Sequence, residues 1–166
     1  MKIKKVGSAQ VPEVFRFVRA AIEKMIEQEI FQWDEIYPTQ EDFLNDAQNN
    51  HLYIVEIDEK PAACFVLNKD CDEEYKNGAW TYTGEDYIVI HRLCVNPEFQ
   101  NQGVGGKTCL GIEKMVKEQG IKAIRLDCFT QNPYSQKMYG KLGYKSVGFA
   151  DWRKGRFILM EKVLTE

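Results

Sequence analysis

The stretch Tyr87-Ile88-Val89-Ile90-His91-Arg92-Leu93-Cys94-Val95-Asn96-Pro97-Glu98-Phe99-Gln100-Asn101-Gln102-Gly103-Val104-Gly105-Gly106-Lys107 decides the fold. Its first nine residues are rich in β-branched side chains and read as a strand, which Asn96-Pro97 ends. From Val104 onward, Val104, Thr108, Gly111, Ile112, Met115 and Val116 fall on one face of a helix that runs to Gln119 and is stopped by Gly120. Strand, glycine-rich turn and helix N-terminus therefore follow in order. Such a junction aims several backbone N–H groups at one point with few side chains in the way. The helix dipole adds partial positive charge, which suits a pyrophosphate. Lys107, in the first helical turn, adds a point charge.

Downstream, residues 122–129 read as a strand. Asn132 caps and Pro133 opens a helix through Leu142, which Gly143 terminates. Tyr134, Met138 and Leu142 form an apolar stripe expected to anchor that helix in the core, and residues 144–149 and 156–163 read as two closing strands. Upstream, the strands 52–57 and 62–67 are joined by the turn residues Asp58-Glu59-Lys60-Pro61. Residues 2–6 read as a first strand. Ser8 is expected to cap a helix with Val14, Phe17, Val18, Ala21, Ile22, Met25 and Ile26 at helical spacing, where Pro12 is tolerated in the first turn. Thr39 with Asp42 resembles a capping arrangement for a short second helix through Asn49. Residues 68–84 are polar and read as an irregular surface excursion. The order β-α-α-β-β-β-α-β-α-β-β predicts an α/β protein of one domain over residues 1–166. Its central sheet is expected to be mixed and mostly antiparallel, with helices on both faces.

A chain of 166 residues has enough interior for one core. A formal charge of −3 argues against nucleic acid, whose backbone calls for a basic face, and is compatible with a cationic acceptor. The five cysteines, at 64, 71, 94, 109 and 128, have no Cys-x-x-Cys spacing, and neither His51 nor His91 completes a zinc pattern. No metal is expected, and the thiols read as reduced core residues. The start Met1-Lys2-Ile3-Lys4-Lys5 lacks an apolar run and no stretch is long enough to span a bilayer, so the expectation is a cytoplasmic protein without a membrane partner.

Three phosphate motifs compete for the glycine loop. Gly106-Lys107-Thr108 imitates the end of a Walker loop, but the required opening glycine is Asn101. A dinucleotide fingerprint would use Gly103 and Gly105, yet its third glycine is Thr108 and the preceding topology differs. Gln-x-x-Gly-x-Gly is satisfied by Gln100, Gly103 and Gly105. Here, and in the flank from His91 to Phe99, the chain resembles the GNAT superfamily of acetyl-CoA-dependent N-acetyltransferases. The stretch from Asn132 to Tyr144 extends the resemblance, since Asn-x-x-Ala-x-x-x-Tyr-x-x-x-Gly-Phe/Tyr follows the next strand at this distance in that family. Ser135 stands where alanine is common, and Ala63 where a third-strand glycine is usual. Residues 87–108 and 132–144 are the specific parts of the match.

The resemblance implies acetyl-CoA as co-substrate and a cofactor site of Leu93, Cys94, Val95, Gln100, Asn101, Gln102, Gly103, Val104, Gly105, Gly106, Lys107, Asn132, Ser135 and Tyr139. In it Asn132 holds the pantetheine arm, Leu93 and Val95 offer backbone donors to pantetheine and the thioester oxygen, and Tyr139 lies beside the sulfur as general acid. Asn132 and Tyr139 are seven residues apart, about 10 Å along one helix face. A tyrosine titrates near 10 and a thiol near 8.5, so complete proton transfer to the thiolate is uphill by roughly 2 kcal/mol. For the base, His91 has a suitable intrinsic pKa, and Glu85 or Asp86 acting through water is an alternative.

The resemblance places acceptor contacts in the segment 28–37. There Trp33, Glu35 and Tyr37 offer charge and cation–π contact to an ammonium, against the alternative of a solvated loop anchored by Trp33. The acceptor is expected to be a small-molecule or peptide amine. The rival readings are a non-catalytic acyl-CoA sensor, which would not require Tyr139, and a nucleotide binder using Gly106-Lys107-Thr108. The last strand, 156–163, is expected either to pair with a second copy in a homodimer or to lie inside the sheet.

Overall fold

The computed structural model describes residues 1–165. Its strands are β1 (Lys2–Lys5), β2 (Leu52–Ile57), β3 (Lys60–Asn68), β4 (Tyr87–Val95), β5 (Ala123–Phe129), β6 (Lys145–Trp152) and β7 (Gly155–Val163). Its helices are α1 (Val11–Glu27), α2 (Gln40–Gln48), α3 (Val104–Glu118) and α4 (Pro133–Lys141). The strands form one seven-stranded sheet in the order β1-β2-β3-β4-β5-β7-β6. β4 and β5 run parallel, whereas the pairs β1-β2, β2-β3, β5-β7 and β6-β7 are antiparallel. The expected element order and mixed sheet flanked by helices are thus present. Among the described residues no helix is long and apolar enough to cross a membrane.

The chain divides into two compact units, Met1–Leu67 with His91–Thr108, and Asn68–Ile90 with the chain from Cys109 onward. In the first, α1 buries Val11, Val14, Phe17, Val18, Ala21 and Ile22, one stripe at helical spacing. They pack with Phe43 and Ala47 of α2, Leu52 and Ile54 of β2, Cys64 and Val66 of β3, and Cys94 of β4. Thr39 and Asp42 do cap α2 reciprocally: the Asp42 N–H donates to Thr39 Oγ1 at 3.2 Å and the Thr39 N–H to Asp42 Oδ2 at 2.7 Å. Ser8 does not cap α1. The chain enters that helix through a 3-10 turn, Ser8–Gln10, so the cap position falls on Gln10, which makes no side-chain capping bond. The β2-β3 turn is a two-residue one, with Asp58 (φ 52°) and Glu59 (φ 63°) both left-handed, the conformation that matches hairpin twist.

Arg92 ties the part of β4 from His91 onward into this unit. Arg92 adopts φ 49° in mid-strand. Its guanidinium meets the Asp46 carboxylate in two parallel bonds, Nε to Oδ2 at 2.8 Å and Nη2 to Oδ1 at 2.6 Å, while Nη1 donates to Tyr37 Oη at 2.8 Å. Burial pushes the Asp46 carboxyl upward and Arg92 only partly offsets this. Burial alone would lower the pKa of Arg92, but Tyr37 and Asp46 hold it above its ordinary value.

In the second unit β7 lies between β5 and β6, paired along both edges, so it is not a strand free to pair with a second copy; β6 is the outer strand. The segment after β3 is not the loose excursion its composition suggested. It makes a 3-10 turn, Glu73–Asn77, buries Tyr75, and bonds along β6 through Ala79 N–H to Val147 O (2.8 Å) and Asn77 Nδ2 to Phe149 O (3.1 Å). The approach is close enough that a Cβ on Gly148 would lie 2.8 Å from Asn77 O. Buried Glu161 of β7 accepts the N–H groups of Thr81 and Tyr82 at 2.9 and 3.0 Å. Polar side chains in this segment and its floor satisfy backbone groups rather than water. The stripe expected to anchor α4 is also corrected. Tyr134 is 66% exposed, and the helix is held instead by Tyr139, which is 7% exposed and edge-on to Tyr144 at 5.5 Å.

Removing one partner of a buried ion pair strands the other charge. Arg92→Gln is expected to cost about 3–5 kcal/mol in urea unfolding, and the apolar pair Arg92→Met with Asp46→Leu to recover most of it. Equal stability of Arg92→Gln and the parent chain would contradict this.

Candidate functional site

In the first unit the glycine loop is set by Asn96. Its N–H donates to Ala62 O and its Nδ2 to Pro61 O, both at 2.8 Å, and its Oδ1 accepts the Glu98 N–H at 3.1 Å. A 3-10 turn, Pro97–Phe99, leads to Gln100, which is half-buried, while Asn101, Gln102 and Gly103 are exposed. Asn101 (φ 63°) and Gly103 (φ 74°) take the left-handed backbone that turns the chain into α3. Lys107 N–H to Gly103 O at 3.1 Å is the first i→i−4 bond there, so the N–H groups of Val104, Gly105 and Gly106 stand ahead of the helical ladder. A Cβ built on Gly106 meets nothing within 4 Å. Donors at a helix N-terminus under open space are what a pyrophosphate requires, and this loop fits one.

Leu93 and Val95 are half-buried, as is His91, and Cys94 is buried, its thiol pushed up to about 12 by burial. Cys94 therefore packs as a small apolar residue. Of the acceptor candidates, Trp33 lies in the core with α1 and α2, which anchors its segment. Glu35 is exposed, and Tyr37 is brought onto β4 by its bond to Arg92.

In the second unit Asn132 caps α4, its Oδ1 accepting the Ser135 N–H at 3.2 Å. Ser135 Oγ lies 3.2 Å from Cys128 Sγ on β5. Burial pushes the Tyr139 hydroxyl well above its ordinary pKa, with Cys109 and Cys128 acting in the same direction. Tyr139 is thus a neutral donor at physiological pH, and less able to give up its proton completely than a tyrosine in water. Glu85 is exposed and pairs with Lys69 at 3.5 Å, and Asp86 is exposed at the start of β4. Among the described residues no group of three or more His, Cys, Asp or Glu is placed to hold a metal ion.

Two arrangements were missed from the sequence. One is the Arg92–Asp46–Tyr37 cluster. The other is Asp127 on β5, whose Oδ2 accepts the Tyr75 hydroxyl at 2.7 Å. The alternation Arg125-Leu126-Asp127-Cys128 in an otherwise apolar strand was the available signal, because it places two charges on one face.

Strand, glycine loop, donor-rich helix start and asparagine-capped helix on a mixed sheet are the build of an acetyltransferase fold. The chain belongs to the acetyltransferase (GNAT) family, whose pattern it matches over residues 19–144. It is 28% identical over 137 residues to YesJ of Bacillus subtilis (strain 168), described as an uncharacterized N-acetyltransferase, covering 81% of this chain and 74% of that protein. A GNAT-family acetyltransferase from Streptococcus agalactiae superposes with a TM-score of 0.88 at 19% identity, covering 99% of this chain and 96% of the other. PaiA N-acetyltransferase from Thermoplasma acidophilum, solved in complex with coenzyme A, gives 0.71 at 20% identity with 98% of each chain covered. At these identities the two structures establish the fold.

Burial raises the Asp127 carboxyl to about 6, a rise that the Tyr75 bond only partly offsets and Asp72 adds to. An acid raised in the folded state destabilises it once ionised, so the penalty grows as pH rises from about 4 through 6. Asp127→Asn is therefore expected to be more stable than the parent chain at pH 8, by at most about 3 kcal/mol, with the gap closing toward pH 4. Thermal melts across this range check it. A gap that widens on acidification would contradict the reading.

Proposed function

We propose that the protein is an N-acetyltransferase that moves the acetyl group of acetyl-CoA to a primary amine of a small molecule or peptide, by direct attack with both substrates bound. The observation that carries this is the set of N–H groups of Val104, Gly105 and Gly106 ahead of the α3 ladder, beneath the open space at Gly106. In this reading Gln100–Lys107 hold the pyrophosphate, with Lys107 adding charge. Leu93 and Val95 offer backbone donors along β4 with Cys94 between them, and Asn132 and Ser135 border the pantetheine arm. Acetyl-CoA supplies the acetyl group as an activated thioester.

His91 takes the proton of the incoming amine, and Trp33, Glu35 and Tyr37 belong to the acceptor side. Tyr139 hydrogen-bonds the leaving sulfur. Its raised pKa makes that bond, rather than full proton transfer, its main contribution. A tyrosine kept neutral in an apolar setting and placed one helix face from the cap favours a transferase over a coenzyme sensor.

Two substitutions separate binding from chemistry. Gly106→Ala adds a methyl group to open space in a helix, so it should raise stability by about 0.5–1 kcal/mol while weakening acetyl-CoA binding at least about tenfold. Tyr139→Phe should lower kcat about 10²-fold or more with little change in the KM for acetyl-CoA. Calorimetry and thiol-release kinetics measure both. Unchanged acetyl-CoA affinity in the first variant would remove the loop from the site, and near-parental kcat in the second would remove Tyr139 from the chemistry.

A further inference from the structure

Arg92 holds a left-handed backbone, φ 49°, inside β4, where extended residues are the rule. A residue with a long side chain takes that conformation at a cost, and it persists only where the surroundings enforce it. Its anchors lie within the first unit. Asp46 of α2 receives the guanidinium in two parallel bonds, and the Tyr37 hydroxyl receives Nη1. On β3 the Cys64 thiol lies 3.9 Å from the Arg92 carbonyl oxygen and donates to it. Burial pushes that thiol well above its ordinary pKa, so it stays an S–H donor. The Arg92 and Asp46 side chains are only 15% and 6% exposed, so water does not compete for their planar, bidentate contact.

These anchors aim the peptide that follows. A trans peptide is planar, with its C=O and N–H pointing opposite ways. The Arg92 carbonyl faces Cys64 on β3, so the Leu93 N–H in the same plane points away from β3. Pairing of β4 with β5 covers Tyr87–Val89, and Arg92 comes after them. At the far end of the segment the Asn96 N–H returns to β3 through Ala62 O at 2.8 Å. We propose that Arg92 and Asp46 are positioning residues for acetyl transfer: their buried pair holds the Arg92–Leu93 peptide so that the Leu93 N–H is aimed at the thioester oxygen. This rests on the transferase reading above. Neither side chain touches the reacting atoms; both act through one peptide plane. A donor fixed before the reaction stabilises the developing oxyanion without reorganising, and a displacement of about 1 Å costs about 10²-fold in rate.

Stability and positioning can be pulled apart at this pair. Arg92→Met with Asp46→Leu removes both charges together, so the fold keeps most of its stability. A methionine has no contact that enforces the left-handed backbone, and relaxation of residue 92 toward an extended conformation rotates the following peptide plane. Arg92→Lys keeps a positive charge beside Asp46, but a single ammonium cannot reproduce the two parallel bonds of a guanidinium. Both variants therefore lose the aim of the Leu93 N–H while leaving the N-terminus of α3 intact.

The test reads the carbonyl itself. Acetyl-CoA labelled with carbon-13 at the thioester carbon is bound without an acceptor, and its C=O stretch is recorded by difference infrared spectroscopy in the parent chain and in both variants. Calorimetry gives the Kd for acetyl-CoA and for free CoA, which lacks the carbonyl, and thiol release gives kcat with the best acceptor from a panel of primary amines. Thermal melts establish that each variant is folded, and Arg92→Lys carries the comparison should the double variant not fold. In both variants the stretch should move to higher frequency than in the parent chain and kcat should fall about 10²-fold. The Kd for free CoA should stay within about threefold of the parental value, because the pyrophosphate loop is untouched. A folded variant that keeps the parental stretch, or the parental kcat, overturns this assignment alone. A parent chain that neither binds acetyl-CoA nor releases thiol with any amine overturns the transferase reading and this one with it.

Discussion

The first unit depends on a buried ion pair. Arg92 breaks the regular course of β4 with a left-handed backbone, and its side chain carries a full charge toward α2. Nothing apolar could satisfy that charge, so Asp46 must come to it from α2 and Tyr37 from the segment before that helix. One bidentate contact thereby fixes the relation of strand, helix and connecting segment. It lies immediately before Leu93-Cys94-Val95 and the loop that Asn96 opens. The position of α2, the path of residues 31–38 and the start of the glycine loop are linked through a single guanidinium.

The second unit uses the same device with the opposite sign. Glu161 and Asp127 are carboxylates on the inner face of β7 and β5, and the segment after β3 folds down to supply their donors. Glu161 is satisfied by backbone N–H groups. Asp127 is satisfied by one neutral hydroxyl, and the imbalance appears as its raised pKa. Two carboxylates thus sit on neighbouring strands, distinguished by how completely the protein answers their charge.

What could be read from the sequence was short in range. The capping box of Thr39 and Asp42 and the cap of Asn132 span three residues each, and the stripe of α1 and the limits of β4 and α3 are set by local periodicity and by Asn96-Pro97 and Gly120. The loop and the asparagine-capped helix were legible for the same reason, since each is one local motif. Long-range pairing was not. Arg92 finds Asp46 and Tyr75 finds Asp127 across roughly fifty residues, and no spacing rule connects them. Composition misled where polar residues satisfy buried backbone, as along the segment before β4, and strand order, which places β7 inside the sheet, has no local signal at all.

In the proposed function the N-terminus of α3 is the pyrophosphate site for acetyl-CoA. Amide resonances of an isotopically labelled chain test it most directly. Titration with acetyl-CoA should move the N–H signals of Val104, Gly105 and Gly106 together and saturably, while ATP and NAD at the same concentrations leave them in place. Equal movement with ATP or NAD, or no movement with acetyl-CoA, would contradict it.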